Sequence, residues 1–195
     1  MKDITNGDLK NIVRDSYKKI VKKEDSFSSS GEDISKSIGY SSEDMDTVPK
    51  DSNLGLGCGN PHLIANISEG ETVLDLGSGA GFDCFLASKK VGDKGLVIGV
   101  DMTPEMLSEA RNNAINNGYK NIDFRLGEIE NLPVANDIVD IIISNCVINL
   151  SPNKQRVYDE AYRVLKTGGR LSISDIVLMK DLTQEMKQDE KLYCG

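Results

Sequence analysis

The sequence contains a single histidine, His62, among its 195 residues. A histidine-rich metal site or a Ser/His/Asp triad is therefore difficult to build. No apolar run approaches the roughly 20 residues that span a bilayer, and the first residues lack the apolar core of a signal peptide. The net charge is −8, so the chain lacks the excess of basic residues that a face for nucleic acid or an anionic membrane requires. We therefore expect a cytoplasmic protein with neither of these partners.

Cysteine is also scarce, with four residues that lie far apart: Cys58, Cys84, Cys146 and Cys194. Without an export signal, this spacing does not predict a structural disulfide framework. The length suits one α/β domain with a short extension, and a hydrophobic content of 38% is enough for its core.

Strand and helix patterns alternate from Glu71 onward, which predicts a doubly wound, mostly parallel sheet with helices on both faces and the first strand in the centre. The predicted strands are Thr72–Leu76, Leu96–Val100, Ile122–Leu126, Val139–Ser144 and Arg170–Val177. The predicted helices cover residues 7–23, 82–90, 103–117, 154–165 and 183–193. We expect residues 1–60 to supply an N-terminal helix and a flap over the active site, and residues 61–195 to form the ligand-binding core.

Three glycines on alternate positions follow the first predicted strand, in Val73–Gly81. A strand, a glycine turn and a helix form the usual binding site for a nucleotide-type ligand. A dinucleotide fingerprint that starts at Gly77 requires glycine at position 82, where Phe82 stands. On residues alone, a simple tight turn stays open as an alternative. The segment resembles the first motif of the class I S-adenosylmethionine-dependent methyltransferases, which have a Rossmann-like sheet. The resemblance implies that S-adenosylmethionine binds here, at Asp75, Gly77, Ser78, Gly79 and Gly81.

Later motifs resemble the same superfamily. Asp101 ends the second strand, where a carboxylate can accept both ribose hydroxyls, although an Asp that begins a turn is the alternative. The resemblance also assigns Met102, Gly127, Glu128 and Ile129 to the cofactor site, and Asn145 to its methionine end; an exposed loop Glu remains the alternative for Glu128. Thr167 replaces the usual proline in the turn of residues 165–171. The class usually has seven strands, so we expect the closing antiparallel hairpin to be missing, the chain to be truncated and an exposed sheet edge to favour a homodimer.

Three cysteine-containing segments resemble the arsenite methyltransferase family: residues 53–61, 81–84 and 143–152. The resemblance implies that Cys58, Cys146 and Cys194 bind As(III), that the small-molecule substrate is arsenite or its thiol conjugates, and that a thiol reductant is needed. A cysteine that some members carry near the N-terminus is absent. Trivalent arsenic is thiophilic, and its lone pair stays free to attack an electrophilic methyl group. Cys84 is expected to be a small buried residue instead.

Two other functions stay open at this point. One is a related small-molecule methyltransferase of the quinone C-methyltransferase type, in which the thiols are incidental. The other is a non-catalytic module that holds the cofactor or the metalloid without turnover.

Overall fold

A computed structural model describes residues 5–22 and 31–180. Over these residues the chain forms one five-stranded sheet in the order β3-β2-β1-β4-β5, and every pair of neighbouring strands is parallel. The strands are β1 Thr72–Leu76, β2 Leu96–Asp101, β3 Ile122–Leu126, β4 Val139–Asn145 and β5 Leu165–Ser174. The predicted parallel sheet with the first strand in its centre is therefore confirmed.

Seven α-helices accompany the sheet in the described residues: α1 Asn6–Val21, α2 Gly31–Ser37, α3 Ser42–Asp46, α4 His62–Ala65, α5 Phe82–Val91, α6 Pro104–Asn116 and α7 Lys154–Val164. Short 3-10 turns cover Lys50–Ser52 and Ile148–Leu150. None of these helices is both long and apolar enough to cross a bilayer.

Alternate residues of each central strand enter two separate cores, as the period-two geometry of a strand requires. Val73 packs with Phe85 of α5 and Leu107 of α6 on one face, whereas Leu74 packs with Val157 of α7 on the other. The helices therefore cover both faces. The strand order reverses between β1 and β4, because β2 and β3 lie on one side of β1 whereas β4 and β5 lie on the other. In open α/β sheets, ligands bind beside such a reversal, at the carboxyl ends of the strands.

The last strand departs from its predicted bounds of Arg170–Val177. β5 begins at Leu165, because Val139 pairs with Leu165 and Ile141 pairs with Arg170. The intervening turn, residues 166–169, is thus a bulge inside the strand rather than a connection before it. The strand ends at Ser174, and Val177 is exposed.

Two further segments differ from the sequence-based expectation. Helix α2 has no predicted counterpart, because Ile34 is its one large apolar residue and no helical period can be seen. Its acidic first turn and basic last turn favour a helix by complementing the helix dipole. The helix predicted over residues 183–193 lies outside the described residues.

Candidate active site

A pocket opens at the carboxyl ends of β1, β2 and β4, beside the reversal in strand order. Three groups of segments line it: the turn after β1, the residues that follow β2, β3 and β4, and parts of the N-terminal region. The N-terminal contribution is large, and it comprises Lys10, Val13, Tyr17, Ser35, Ile38, Tyr40 and residues 52–57. The N-terminal region therefore lies over the strand ends, although the division into units 1–60 and 61–195 stays a prediction.

The turn after β1 brings bare backbone to the pocket wall. The Gly77 and Ser78 N–H groups both donate to Val100 O, at 2.8 and 3.0 Å, which ties the turn to the end of β2. Gly77 has a φ of 69°, and a Cβ there would lie 2.5 Å from Val147 Cγ2. Only glycine fits this position. The Ser78 hydroxyl is buried and has no hydrogen-bond partner in the described protein, so it is free to bind a ligand.

Asp101 presents a carboxylate at the end of β2. Its two oxygens accept the N–H of Gly79, at 2.9 Å, and the N–H of Thr103, at 2.8 Å. Burial raises the pKa of Asp101, and these backbone donors partly oppose the rise. The side chain is fixed in one orientation before any ligand binds, since both oxygens are already held.

Two more carboxyl groups, Asp75 and Asp83, line the same pocket. Burial raises the pKa of Asp75, and the neighbouring charge of Asp83 raises it further. Cys84 donates its S–H to Asp75 Oδ2 at 3.2 Å and is fully buried, so it lies in the core as expected. A ligand that carries positive charge near the end of β1 would therefore meet carboxyl groups there and favour their ionised forms.

The segment after β3 is covered by α1. Lys10 Nζ lies 2.7 Å from Glu128 Oε2 and 3.1 Å from Glu130 Oε2. Arg14 donates from Nε to Met102 O at 3.2 Å. The amphipathic pattern of α1 predicts the helix. The sequence gives no signal for its ion pairs or for the Arg14 hydrogen bond, because the partners are more than 80 positions away along the chain.

Most of the predicted cofactor residues surround the pocket; those in its lining are Asp75, Gly77, Ser78, Gly79, Asp101, Met102, Gly127, Ile129 and Asn145. Gly81 instead lies against the rings of Phe85 and Phe124, where a Cβ would approach both at 2.8 Å. Glu128 is paired with Lys10 as described above.

Cys58 and Cys146 are joined by a disulfide, with their Cα atoms 5.7 Å apart and 88 positions between them in sequence. Cys146 directly follows β4 and has a φ of 57°, a left-handed conformation that is unusual for a residue with a Cβ. Its N–H donates to Ser174 O at 2.8 Å, which fixes it to the end of β5. Such conformations cluster at functional sites, where the surrounding structure maintains them.

The third predicted arsenic ligand, Cys194, lies outside the described residues. Within residues 5–22 and 31–180, no group of three or more Cys, His, Asp or Glu side chains is arranged to hold a metal ion. The described part of the chain thus brings two of the three predicted thiol residues together.

The Cys58 loop, which we define as residues 55–61, reaches the site through Asn145. The Asn145 amide accepts the Cys58 N–H at 3.0 Å and donates to Gly59 O at 2.8 Å. A Cβ on Gly57 would lie 2.6 Å from Asn145 Nδ2, so glycine is required there for the close approach. The glycine at position 57 of the motif is therefore explained by the close packing of the Asn145 side chain against its backbone.

The sheet order, the glycine turn and the carboxylate after β2 define a protein of the Rossmann-like methyltransferase class. In agreement, residues 67–195 match the model of a family described as "Methyltransferase domain". The chain belongs to this methyltransferase domain family.

Within that family the chain is similar to arsenite methyltransferases. An arsenite methyltransferase of Halobacterium salinarum is 55% identical over 83% of this chain and 41% of the relative. The crystal structure of an arsenic(III) S-adenosylmethionine methyltransferase from Chlamydomonas reinhardtii has a TM-score of 0.64 and 40% identity, over 82% of this chain and 54% of that one. A ubiquinone/menaquinone C-methyltransferase of Methylococcus capsulatus is 33% identical over 56% of this chain and 45% of the relative. The chain thus spans about half, or less, of the length of these relatives.

Proposed function

We propose that this chain transfers a methyl group from S-adenosylmethionine to trivalent arsenic held by the thiolates of Cys58 and Cys146, with Cys194 as a third ligand. The observation that carries the proposal is the meeting of Cys58 and Cys146, although 88 positions separate them. Cys146 lines the same pocket as the turn after β1. Similarity to arsenite methyltransferases supports the choice of arsenic.

The residues present fit the cofactor. Asp101 would accept the ribose hydroxyls, the buried and unpartnered Ser78 hydroxyl would meet a polar group of the cofactor, and Ile129 would provide an apolar wall for the adenine. S-adenosylmethionine supplies an electrophilic methyl group on a positively charged sulfur. Asp83 favours that charge, because its carboxyl group lines the pocket. The positive charge would in turn favour the ionised form of Asp75, whose pKa burial raises.

The cysteines bind arsenic only after reduction. Two molecules of a small thiol reduce the Cys58–Cys146 disulfide and leave as their own disulfide. Each protein thiol then replaces one hydroxyl of arsenous acid, and its proton leaves with that hydroxyl as water. The paired thiols suit a soft, thiophilic centre better than oxygen ligands would.

The quinone C-methyltransferase alternative is supported by the Methylococcus relative. It requires no thiols, and so it predicts that loss of Cys146 leaves methylation intact. A binding module without turnover is the third candidate. A cytoplasmic location, a thiol reductant as partner and a homodimer formed at the sheet edge also stay predictions.

The deciding experiment replaces each cysteine by serine in a chain that carries a full-length C-terminus. Arsenite binding to the reduced protein is titrated, cofactor affinity is measured by calorimetry, and methylated arsenic is quantified by mass spectrometry. We expect Cys58→Ser and Cys146→Ser to lose arsenite binding and methylation while keeping cofactor affinity, and Cys84→Ser to keep all three.

Each other outcome favours a different candidate. If Cys146→Ser binds and methylates arsenic normally, the thiol assignment is wrong, and the quinone-type alternative replaces it. If the wild-type protein binds both ligands without forming product, it is a binding module.

A further inference from the structure

A partly buried polar network of Tyr40, Asp83 and Asn145 lies against the Cys58 loop. Tyr40 donates its hydroxyl to Asp83 Oδ1 at 2.6 Å. Asn145 donates from Nδ2 to Tyr40 Oη at 3.0 Å, and Asp83 Oδ2 lies 3.3 Å from the same nitrogen. The Asn145 amide is the group that holds the Cys58 N–H and Gly59 O. One chain of contacts therefore leads from Asp83 through Tyr40 and Asn145 to Cys58.

Two further contacts attach the C-terminal end of the loop. His62 Nε2, just past the loop, lies 3.2 Å from Asp83 Oδ1. Asn60 donates from Nδ2 to Gly39 O, at 3.1 Å, next to Tyr40. The Cys58 loop is thus attached at its middle and near its C-terminal end to a network that Asp83 and Tyr40 organise.

We propose that Tyr40 and Asp83 are positioning residues that hold the Asn145 amide, and through it the Cys58 loop, so that the reduced Cys58 thiol stays beside the Cys146 thiol. The purpose of this arrangement rests on the proposed function, because a metalloid bound by two thiols gains affinity when both are already in place. The arrangement itself can be tested without arsenic.

The surroundings of Tyr40 allow its hydroxyl to be tested separately from its ring. Tyr40 is 4% exposed, and its ring packs edge-on against Phe82 with centroids 5.0 Å apart. Burial raises the pKa of Tyr40, and the charge of Asp83 adds to the rise, so its hydroxyl remains a donor at every working pH. A Tyr40→Phe substitution keeps the ring contact and removes only the hydroxyl from the network.

The first measurement is the effective concentration of the two thiols. It is obtained by equilibrating the Cys58–Cys146 disulfide with glutathione, and it reports how much of the time the reduced thiols lie together. We expect Tyr40→Phe to lower it roughly 5- to 10-fold, the effect of one lost hydrogen bond. Tyr162→Phe on α7 is the matched control, because Tyr162 is 85% exposed and its hydroxyl lies outside the network.

A double-mutant comparison tests whether the two residues act together. If they act through one network, Tyr40→Phe combined with Asp83→Ala lowers the effective concentration by less than the product of the two separate effects. Independent, multiplicative effects would overturn the proposal.

Amide hydrogen exchange of the reduced protein provides a second readout. We expect the Cys58 N–H, which Asn145 accepts, to lose protection in Tyr40→Phe while the strands of the sheet keep theirs. An unchanged effective concentration in Tyr40→Phe, or an equal fall in Tyr162→Phe, would refute the role of Tyr40.

Arsenite titration of the same proteins separates this inference from the proposed function. If the effective concentration falls in Tyr40→Phe but the wild-type protein does not bind arsenite, the positioning role stands and the proposed function fails. If the wild-type protein binds arsenite and Tyr40→Phe keeps its effective concentration, the proposed function stands and the positioning role fails.

Discussion

Replacement of Asp101 by alanine should weaken binding of S-adenosylmethionine without unfolding the protein. In the structure each carboxylate oxygen already accepts one backbone N–H, from Gly79 or Thr103, and each has lone-pair capacity for one ribose hydroxyl. A hydrogen bond to a charged group contributes on the order of 1.5–3 kcal/mol. We therefore expect affinity to fall roughly 10- to 100-fold.

Calorimetry with S-adenosylhomocysteine or S-adenosylmethionine measures this loss, and Asp93→Ala, in the exposed turn after α5, is the matched control.

The pH dependence of cofactor affinity provides an independent test. Burial raises the pKa of Asp101 above its ordinary value of 3.8, and the ionised form is the acceptor. Wild-type affinity should therefore fall as the pH drops through that raised pKa, and Asp101→Asn should flatten the dependence. Unchanged affinity in Asp101→Ala would refute the ribose assignment.

Two further predictions concern ion pairs of α7 and α1. Glu160→Gln should lower the free energy of unfolding by about 1–3 kcal/mol at neutral pH, because buried Glu160 accepts the Leu132 N–H and two Arg163 donors. Arg163 lowers the pKa of Glu160, so this difference should disappear in urea titrations as the pH falls through the lowered pKa; an equal difference at low pH would contradict the reasoning. Lys10→Met removes two ion pairs between α1 and the segment after β3, and it should speed chymotrypsin cleavage after Tyr17 of α1 by roughly 2- to 5-fold, as added salt should in the wild type. Cleavage that responds to neither change would show that the ion pairs do not hold α1.

The sheet was predictable because its signals are local. β1, β2 and β4 are mostly apolar, whereas β3 alternates apolar with charged residues, and each of the four is five to seven residues long. β1 and β3 have the predicted bounds, and β2 and β4 extend one residue further. β5 was misplaced because a bulge is defined by pairing with Val139, and no property of residues 166–169 alone reveals that partner.

The candidate site was predictable to the extent that motifs mark it. Glycines and an acidic residue at strand ends identify a ligand pocket because parallel strands bring those ends together. The contacts of Asn145 with Tyr40 and of Lys10 with Glu128 had no such signal. Each joins positions more than 100 apart, and Tyr40 by itself resembles any buried aromatic residue. Such pairs depend on the packed fold.

The pairing of β1 with β4 also has a consequence for synthesis on the ribosome. Thr72 of β1 bonds to Asp140 of β4 at 2.8 Å, and the two residues are 68 positions apart. At 5–20 residues per second, a nascent chain needs roughly 3–14 s to extend from one to the other. During that interval β1 can pair with β2 alone, and its apolar second edge has no native neighbour. A pause in translation after β2 has left the ribosome, but before β4 has, would therefore leave the centre of the sheet open to chaperones or to aggregation.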